Sequence, residues 1–131
     1  MKINFRSIEL TIHDQEFGCT IIFSDSKSAD YQFKTEKELI NSGEKHFLIQ
    51  RTYPEFEDEI DSYTVEASEI DMNFSQKDSI YITLRQKEIE IYCSGITHII
   101  EQALSKKEYS QLNKVLRTRF KDKVEMMGGD K

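Results

Sequence analysis

The amino-acid sequence predicts an α+β fold, a mostly antiparallel, curled β-sheet of about seven to eight strands with a C-terminal α-helix packed on it. Three observations lead there. From the start to about residue 103 apolar side chains recur at every second position, the period of a half-buried strand, and after Ser105 the period becomes that of a helix. Regular alternation of strands and helices, the mark of a doubly wound parallel sheet, is absent. At 131 residues the chain has room for one hydrophobic core, so a single domain is expected over residues 1–123 with a frayed tail at 124–131.

Each element has a local reason. Ile3 and Phe5 share one parity while Ile8, Leu10 and Ile12 share the other, so the first strand is expected to bulge or bend near Arg6 and Ser7. After a turn at HDQE, Phe17, Cys19, Ile21 and Phe23 fall on one face, completing a hairpin. SDSKSAD reads as a turn cluster and ADYQF as a short or edge strand. Thr35 and Glu38 have the capping-box spacing ahead of Leu39 and Ile40, so a short helix ended by Gly43 is expected in KTEKELINSG. HFLIQR and SYTVEAS read as strands.

SIYITLR and EIEIYC, with Ile80, Ile82, Leu84 and then Ile89, Ile91, Cys93 on their inner faces around RQK, form the clearest hairpin, and GITHIIEQ adds one more strand. Ser105 opens the pattern S-K-K-E, in which its hydroxyl caps the helix and Glu108 reaches back. Tyr109, Leu112, Val115, Leu116 and Phe120 then make the apolar stripe, and Lys114, Arg117, Arg119, Lys121 and Lys123 gather towards the helix C-terminus, where positive charge suits the dipole.

Charge limits the partners. The net charge of -6 and pI near 5.1 argue against a nucleic-acid backbone or an anionic membrane, since both require a basic footprint. No apolar stretch approaches the roughly 18 residues a membrane-spanning helix needs. MKINFRSIELTIHD has neither an apolar h-region nor a cleavage signal, so a cytoplasmic protein is expected. Cys19 and Cys93 lie in apolar alternating segments and are expected to be buried core thiols.

Chemistry-bearing patterns are sparse. His13, His46 and His98 have no second ligand at metal spacing, and CxxC, HxxxH, HExxH and a glycine-rich phosphate cradle are missing from the sequence. No serine or cysteine has a nucleophile context. The sequence therefore predicts no enzyme, no metal and no cofactor. The one acid-and-lysine pattern, Asp14 with Asp25 and Lys27, faintly matches a metal-dependent nuclease and equally suits a turn.

The conspicuous feature is YPEFEDEIDSY. Glu55, Glu57, Asp58, Glu59 and Asp61 crowd together, and no Lys or Arg occurs from Thr52 to Gln76. Such a run repels itself unless something positive meets it. Tyr53, Phe56 and Tyr63 interleave with the carboxylates, and aromatic anchors inside a ring of charge are what protein interfaces use. Tyr53, Glu55, Phe56, Glu57, Asp58, Glu59 and Asp61 are the predicted partner-binding residues, and the predicted partner is a protein with a basic surface.

FLIQR, the acidic run, YTVEAS, the hairpin around TLRQKEIEIY and the closing YSQLNKVLRTRF helix together resemble the tenth immunity-protein family of bacterial polymorphic toxin systems, from about Phe5 to Phe120. The positions that carry the resemblance are Leu48, Ile49, Gln50 and Arg51, then Tyr63 with Glu66; ASEIDMNFSQKD departs from the family in containing no glycine. The resemblance implies a non-enzymatic protein, made beside a toxin, that binds its cognate toxin inside the producing cell and needs no cofactor. Arg51 and Glu66 are expected to form either a structural ion pair or a toxin contact. From a different class comes the alternative of a non-enzymatic interaction module or homo-oligomer, a homodimer in which a sheet edge or the basic helix end meets a second copy.

Overall fold

The computed structural model describes residues 2–15, 18–25, 45–53, 62–68, 70, 72, 74–75 and 77–127. Among these, the elements in chain order are β1 (Lys2–Arg6), β2 (Glu9–Gln15), β3 (Gly18–Ser24), β4 (His46–Thr52), β5 (Ser62–Ala67), β6 (Ile80–Leu84), β7 (Glu88–Cys93), β8 (Ile96–Glu101), α1 (Lys106–Thr118) and β9 (Val124–Met126). The α+β class is as the sequence predicts. Among the described residues the mostly antiparallel strands number nine and lie in two sheets: a five-stranded sheet in the order β1-β8-β7-β6-β9 and a four-stranded sheet in the order β2-β3-β4-β5. The smaller sheet is antiparallel throughout, while β1 pairs parallel to β8 and β9 parallel to β6 in the larger one.

The parity change near Arg6 and Ser7 marks the corner where the chain leaves one sheet for the other. The Ser7 N–H donates to the Glu101 carbonyl of the larger sheet at 2.8 Å, and the Ile8 N–H donates to the Ser24 carbonyl of the smaller sheet at 2.8 Å. The buried Ser7 hydroxyl has the Glu9 and Ser24 carbonyls at 3.0 and 3.3 Å to share its one hydrogen, so the bend meets its polar groups locally.

The inner faces follow the alternation. Leu10, Phe23, Phe47 and Ala67 make one cross-strand row of the smaller sheet and Ile12, Ile21, Ile49 and Val65 the next. In the larger sheet Leu84, Ile89, Ile100 and Phe5 form one row, and Met126, Ile82, Ile91, His98 and Ile3 another. Both faces share one core cluster with Leu112, Val115 and Leu116 of α1 and with Phe120. Ser105 accepts the Glu108 N–H at 3.1 Å while the Glu108 carboxylate accepts the Ser105 N–H at 3.1 Å, the expected capping box. Between β7 and β8 the turn is tight because Ser94 and Gly95 both take positive φ, 53° and 80°, matching the strand twist.

Other expectations are corrected. The segment expected to fray from residue 124 instead supplies β9, paired with β6 from Val124 to Met126. HDQE is not a turn as far as Gln15, because β2 continues to a Gln15↔Gly18 pair. Residues 26–44, with ADYQF and the short helix predicted in KTEKELINSG, and residues 54–61 of the acidic run lie outside the described residues. Among the described residues no helix is long and apolar enough to cross a membrane.

Candidate functional site

The end of the smaller sheet, from which the acidic run departs, carries a connected polar network. The third inner-face row of that sheet reads Asp14, Cys19, Arg51 and Tyr63, so the positions that bear Ile12, Ile21, Ile49 and Val65 one step away here bear an acid, a thiol, a cation and a phenol. Gly18 lets β3 approach closely at this row, since a Cβ there would lie 2.5 Å from the Arg51 carbonyl oxygen.

The C-terminal end of α1 closes the row. Arg119, its C-cap, donates from Nε to Asp14 Oδ2 at 2.8 Å. Tyr53 donates its hydroxyl to the other carboxylate oxygen, Asp14 Oδ1, at 3.1 Å. Arg51 donates from Nη1 to the Arg119 carbonyl at 2.7 Å, placing a cation at the negative end of the helix dipole, and its guanidinium lies 4.8 Å from the Tyr53 ring centroid. Lys123 follows, its Nζ 5.3 Å from the Tyr63 ring centroid and 5.8 Å from that of Phe74. Tyr53 is therefore gripped by ring and hydroxyl at the residue from which the acidic run begins, beyond the last strand pair, Thr52↔Ser62.

This arrangement braces the end of the sheet against the end of α1. Both Asp14 oxygens already accept a hydrogen bond, which leaves the carboxylate poorly placed to act as a base. Burial pushes the Cys19 thiol up to about 11, with Asp14 adding to the rise and Arg119 and Arg51 opposing it. A thiol so held stays protonated at neutral pH and is a poor nucleophile. The Tyr53 phenol is also raised, by its partial burial and by the bond to Asp14. Asp14 and Asp25 stand at opposite ends of the β2–β3 hairpin, about 20 Å apart at the rise of a strand. Asp25 Oδ1 accepts the Lys45 N–H at 2.9 Å, and Lys27 lies outside the described residues, so the nuclease-like trio is not brought together among them. Among the described residues no group of three or more His, Cys, Asp or Glu is arranged to hold a metal ion.

Of the predicted partner-binding residues, Tyr53 is described and is tied into this network; Glu55, Phe56, Glu57, Asp58, Glu59 and Asp61 lie outside the described residues. Arg51 and Glu66 do not form the expected pair. The register sets Arg51 opposite Tyr63 on the inner face and Glu66 opposite Leu48 on the outer one. Sequence reasoning missed Asp14 and Arg119 as the brace, since 105 positions separate them. One signal was available: Arg51 shares parity with Phe47 and Ile49, and Asp14 with Leu10 and Ile12, so charged residues stood at core-facing positions. No family model matches the chain, and comparison with curated proteins returns no match.

Proposed function

We propose that this chain is an immunity protein that binds a cognate toxin domain inside the producing cell and neutralises it by occupation, using the acidic and aromatic run that joins β4 to β5. The observation that carries the reading is the braced root of that run. Its first residue, Tyr53, is fixed by Asp14 and Arg51, and these are fixed in turn by the side chain and carbonyl of Arg119. A binding segment whose root is already held in place spends less of the interaction energy on fixing that root. The five carboxylates of the run, in a chain of net charge -6, supply long-range attraction for a cationic surface. The family resemblance of FLIQR, YTVEAS and the closing helix points to the same partner class.

The test is co-expression with the toxin domain encoded beside the gene, scored as survival, with purified proteins checked for folding. Replacing Glu57, Asp58 and Glu59 together by Lys is expected to leave the protein folded, abolish protection and slow association by roughly tenfold or more at low salt. Full protection by the folded triple variant would return the run to a solvated connection.

A further inference from the structure

The outer face of the five-stranded sheet carries a second aromatic and acidic surface, on the opposite side of that sheet from the core. Among the described residues four large hydrophobic side chains are notably exposed, and three of them gather at β6, β7 and β9: Tyr81, Tyr92 and Met127. Tyr81 and Tyr92 are direct cross-strand partners, their ring centroids 6.2 Å apart and their planes inclined at 47°. Glu125 stands opposite Tyr81 on β9, and Glu90 lies one step along β7 from Tyr92 on the same face, opposite Thr83. Met127 extends β9, its N–H bonded to the Ile82 carbonyl at 2.7 Å. The row beyond Tyr92 runs to Thr97 and reaches a cation only at Lys2 on the far edge. Tyrosine and methionine beside carboxylates, exposed on a pleated surface, have the composition of an interface core with an acidic rim.

We propose that this face is a second docking surface for the cationic protein partner, receiving an arginine side chain across the Tyr81 and Tyr92 rings with Glu90 and Glu125 beside it. Charge complementarity selects the occupant. A guanidinium is flat and weakly hydrated, stacks on a phenol face and keeps its N–H groups in plane for the flanking carboxylates, whereas an ammonium is compact and strongly hydrated. A cross-strand tyrosine pair also stabilises its hairpin, but that role does not discriminate between arginine and lysine. The inference extends the reading above to another surface and rests on its claim that the partner is a cationic protein.

Titration of the isotope-labelled protein with hexa-arginine and hexa-lysine peptides of equal charge, followed by backbone amide shifts, tests it. Saturable shifts at Tyr81, Glu90, Tyr92 and Glu125 are expected, with the arginine peptide tighter by roughly fivefold. These shifts should persist in the variant whose Glu57, Asp58 and Glu59 are replaced by Lys. Tyr81→Thr with Tyr92→Thr, which keeps strand-forming residues, should erase the arginine preference; Glu90→Gln with Glu125→Gln, which leaves both rings in place, should weaken both peptides. Equal affinity for the two peptides, or shifts confined to the neighbourhood of residues 53–61, would overturn the proposal. So would concentration-dependent dimerisation that the tyrosine variant abolishes, since it assigns the face to a second copy. Each of these results leaves the toxin-protection assay of the acidic run untouched.

Discussion

Polar residues at two places on the inner faces of the sheets, among the described residues, are handled in opposite ways. At the edge of the smaller sheet Asp14, Arg51, Tyr53 and Arg119 keep their polar character because each meets a partner and part of the cluster reaches water; the side chains of Arg119 and Asp14 are 50% and 32% exposed. In the interior of the larger sheet His98 is 1% exposed, its ring centroid 4.5 Å from that of Phe47, and its Nε2 has no hydrogen-bond partner among the described residues. Burial there pushes the imidazole down to about 4. Partners preserve charge at the edge, and burial suppresses it in the middle. The contrast separates a partnered, half-exposed network from a residue that fills the core.

The largest expected effect breaks the buried side of the contrast. Because the folded pKa of His98 lies below the ordinary 6.5, the unfolded chain takes up the proton first as pH falls. The stability that depends on neutral His98 is complete above about pH 6.5, declines as pH drops towards 4 and levels off below; at 1.36 kcal/mol per pH unit the loss is about 3 kcal/mol. His98→Leu should flatten this part of the profile and leave stability at pH 7 nearly unchanged, because the Nε2 it removes has no partner among the described residues. Urea unfolding of both proteins from pH 7 to pH 4 reads the difference. Parallel profiles would show that His98 does not carry it.

A local polar contact sets the scale for the edge network. Ser105→Ala removes the side-chain acceptor from the N-terminal cap of α1 and should cost about 1 kcal/mol by chemical denaturation. Coincident unfolding curves would mean that the capping box contributes nothing.

That cap was legible in four consecutive letters, while the brace at the other end of α1 was not, and the reason is sequence distance. A capping box, a strand parity or the hairpin around RQK is written within a few residues, so Ser105, the buried run Ile80–Ile82–Leu84 and both buried cysteines were all predictable. The parity break at Arg6 and Ser7 was visible as well, but a bulge and a crossing between sheets leave the same local trace. The parallel pairs β1–β8 and β6–β9 join segments far apart in sequence and leave no local pattern. VEM is too short to show a period, so the sequence alone does not mark β9 as a strand. The resemblance sets Arg51 and Glu66 on adjacent segments, and only the register, which puts Ile49 opposite Val65, places them on opposite faces. The acidic run was the most conspicuous feature of the sequence, and what the structure adds to it is the root at Tyr53.

Asp14→Asn tests whether the edge network is held by charge. It removes the carboxylate that accepts from Tyr53 and Arg119, so the Tyr53 phenol, now raised partly by Asp14, should titrate at lower pH, and stability should fall by about 0.5 kcal/mol because the pair is largely open to solvent. Ultraviolet titration of the tyrosines reads the first effect and urea unfolding the second. An unchanged tyrosine titration would deny the link between Asp14 and Tyr53.

The smallest effect distinguishes the two thiols, one beneath each kind of environment. Cys19 and Cys93 are both fully buried, and burial is the leading cause that raises each to about 11, so both should resist an aqueous thiol reagent in the native protein. They differ in what seals them. Cys19 sits in the row closed by the Asp14–Arg119 pair, whereas Cys93 lies between Ile91 and the tight Ser94–Gly95 turn on the larger sheet. Raising salt from 0.1 to 1 M shortens the screening length from about 10 to 3 Å, which weakens an ion pair exposed to water and leaves apolar packing intact or slightly firmer. Slow labelling of Cys19 should therefore quicken with salt while that of Cys93 does not, a difference that mass spectrometry of labelled peptides resolves. Asp14→Asn should make Cys19 labelling fast at low salt and insensitive to further salt. Equal, salt-independent rates for the two cysteines in the unmodified protein would mean that packing alone closes the edge and that the ion pair contributes no seal at the root of the acidic run.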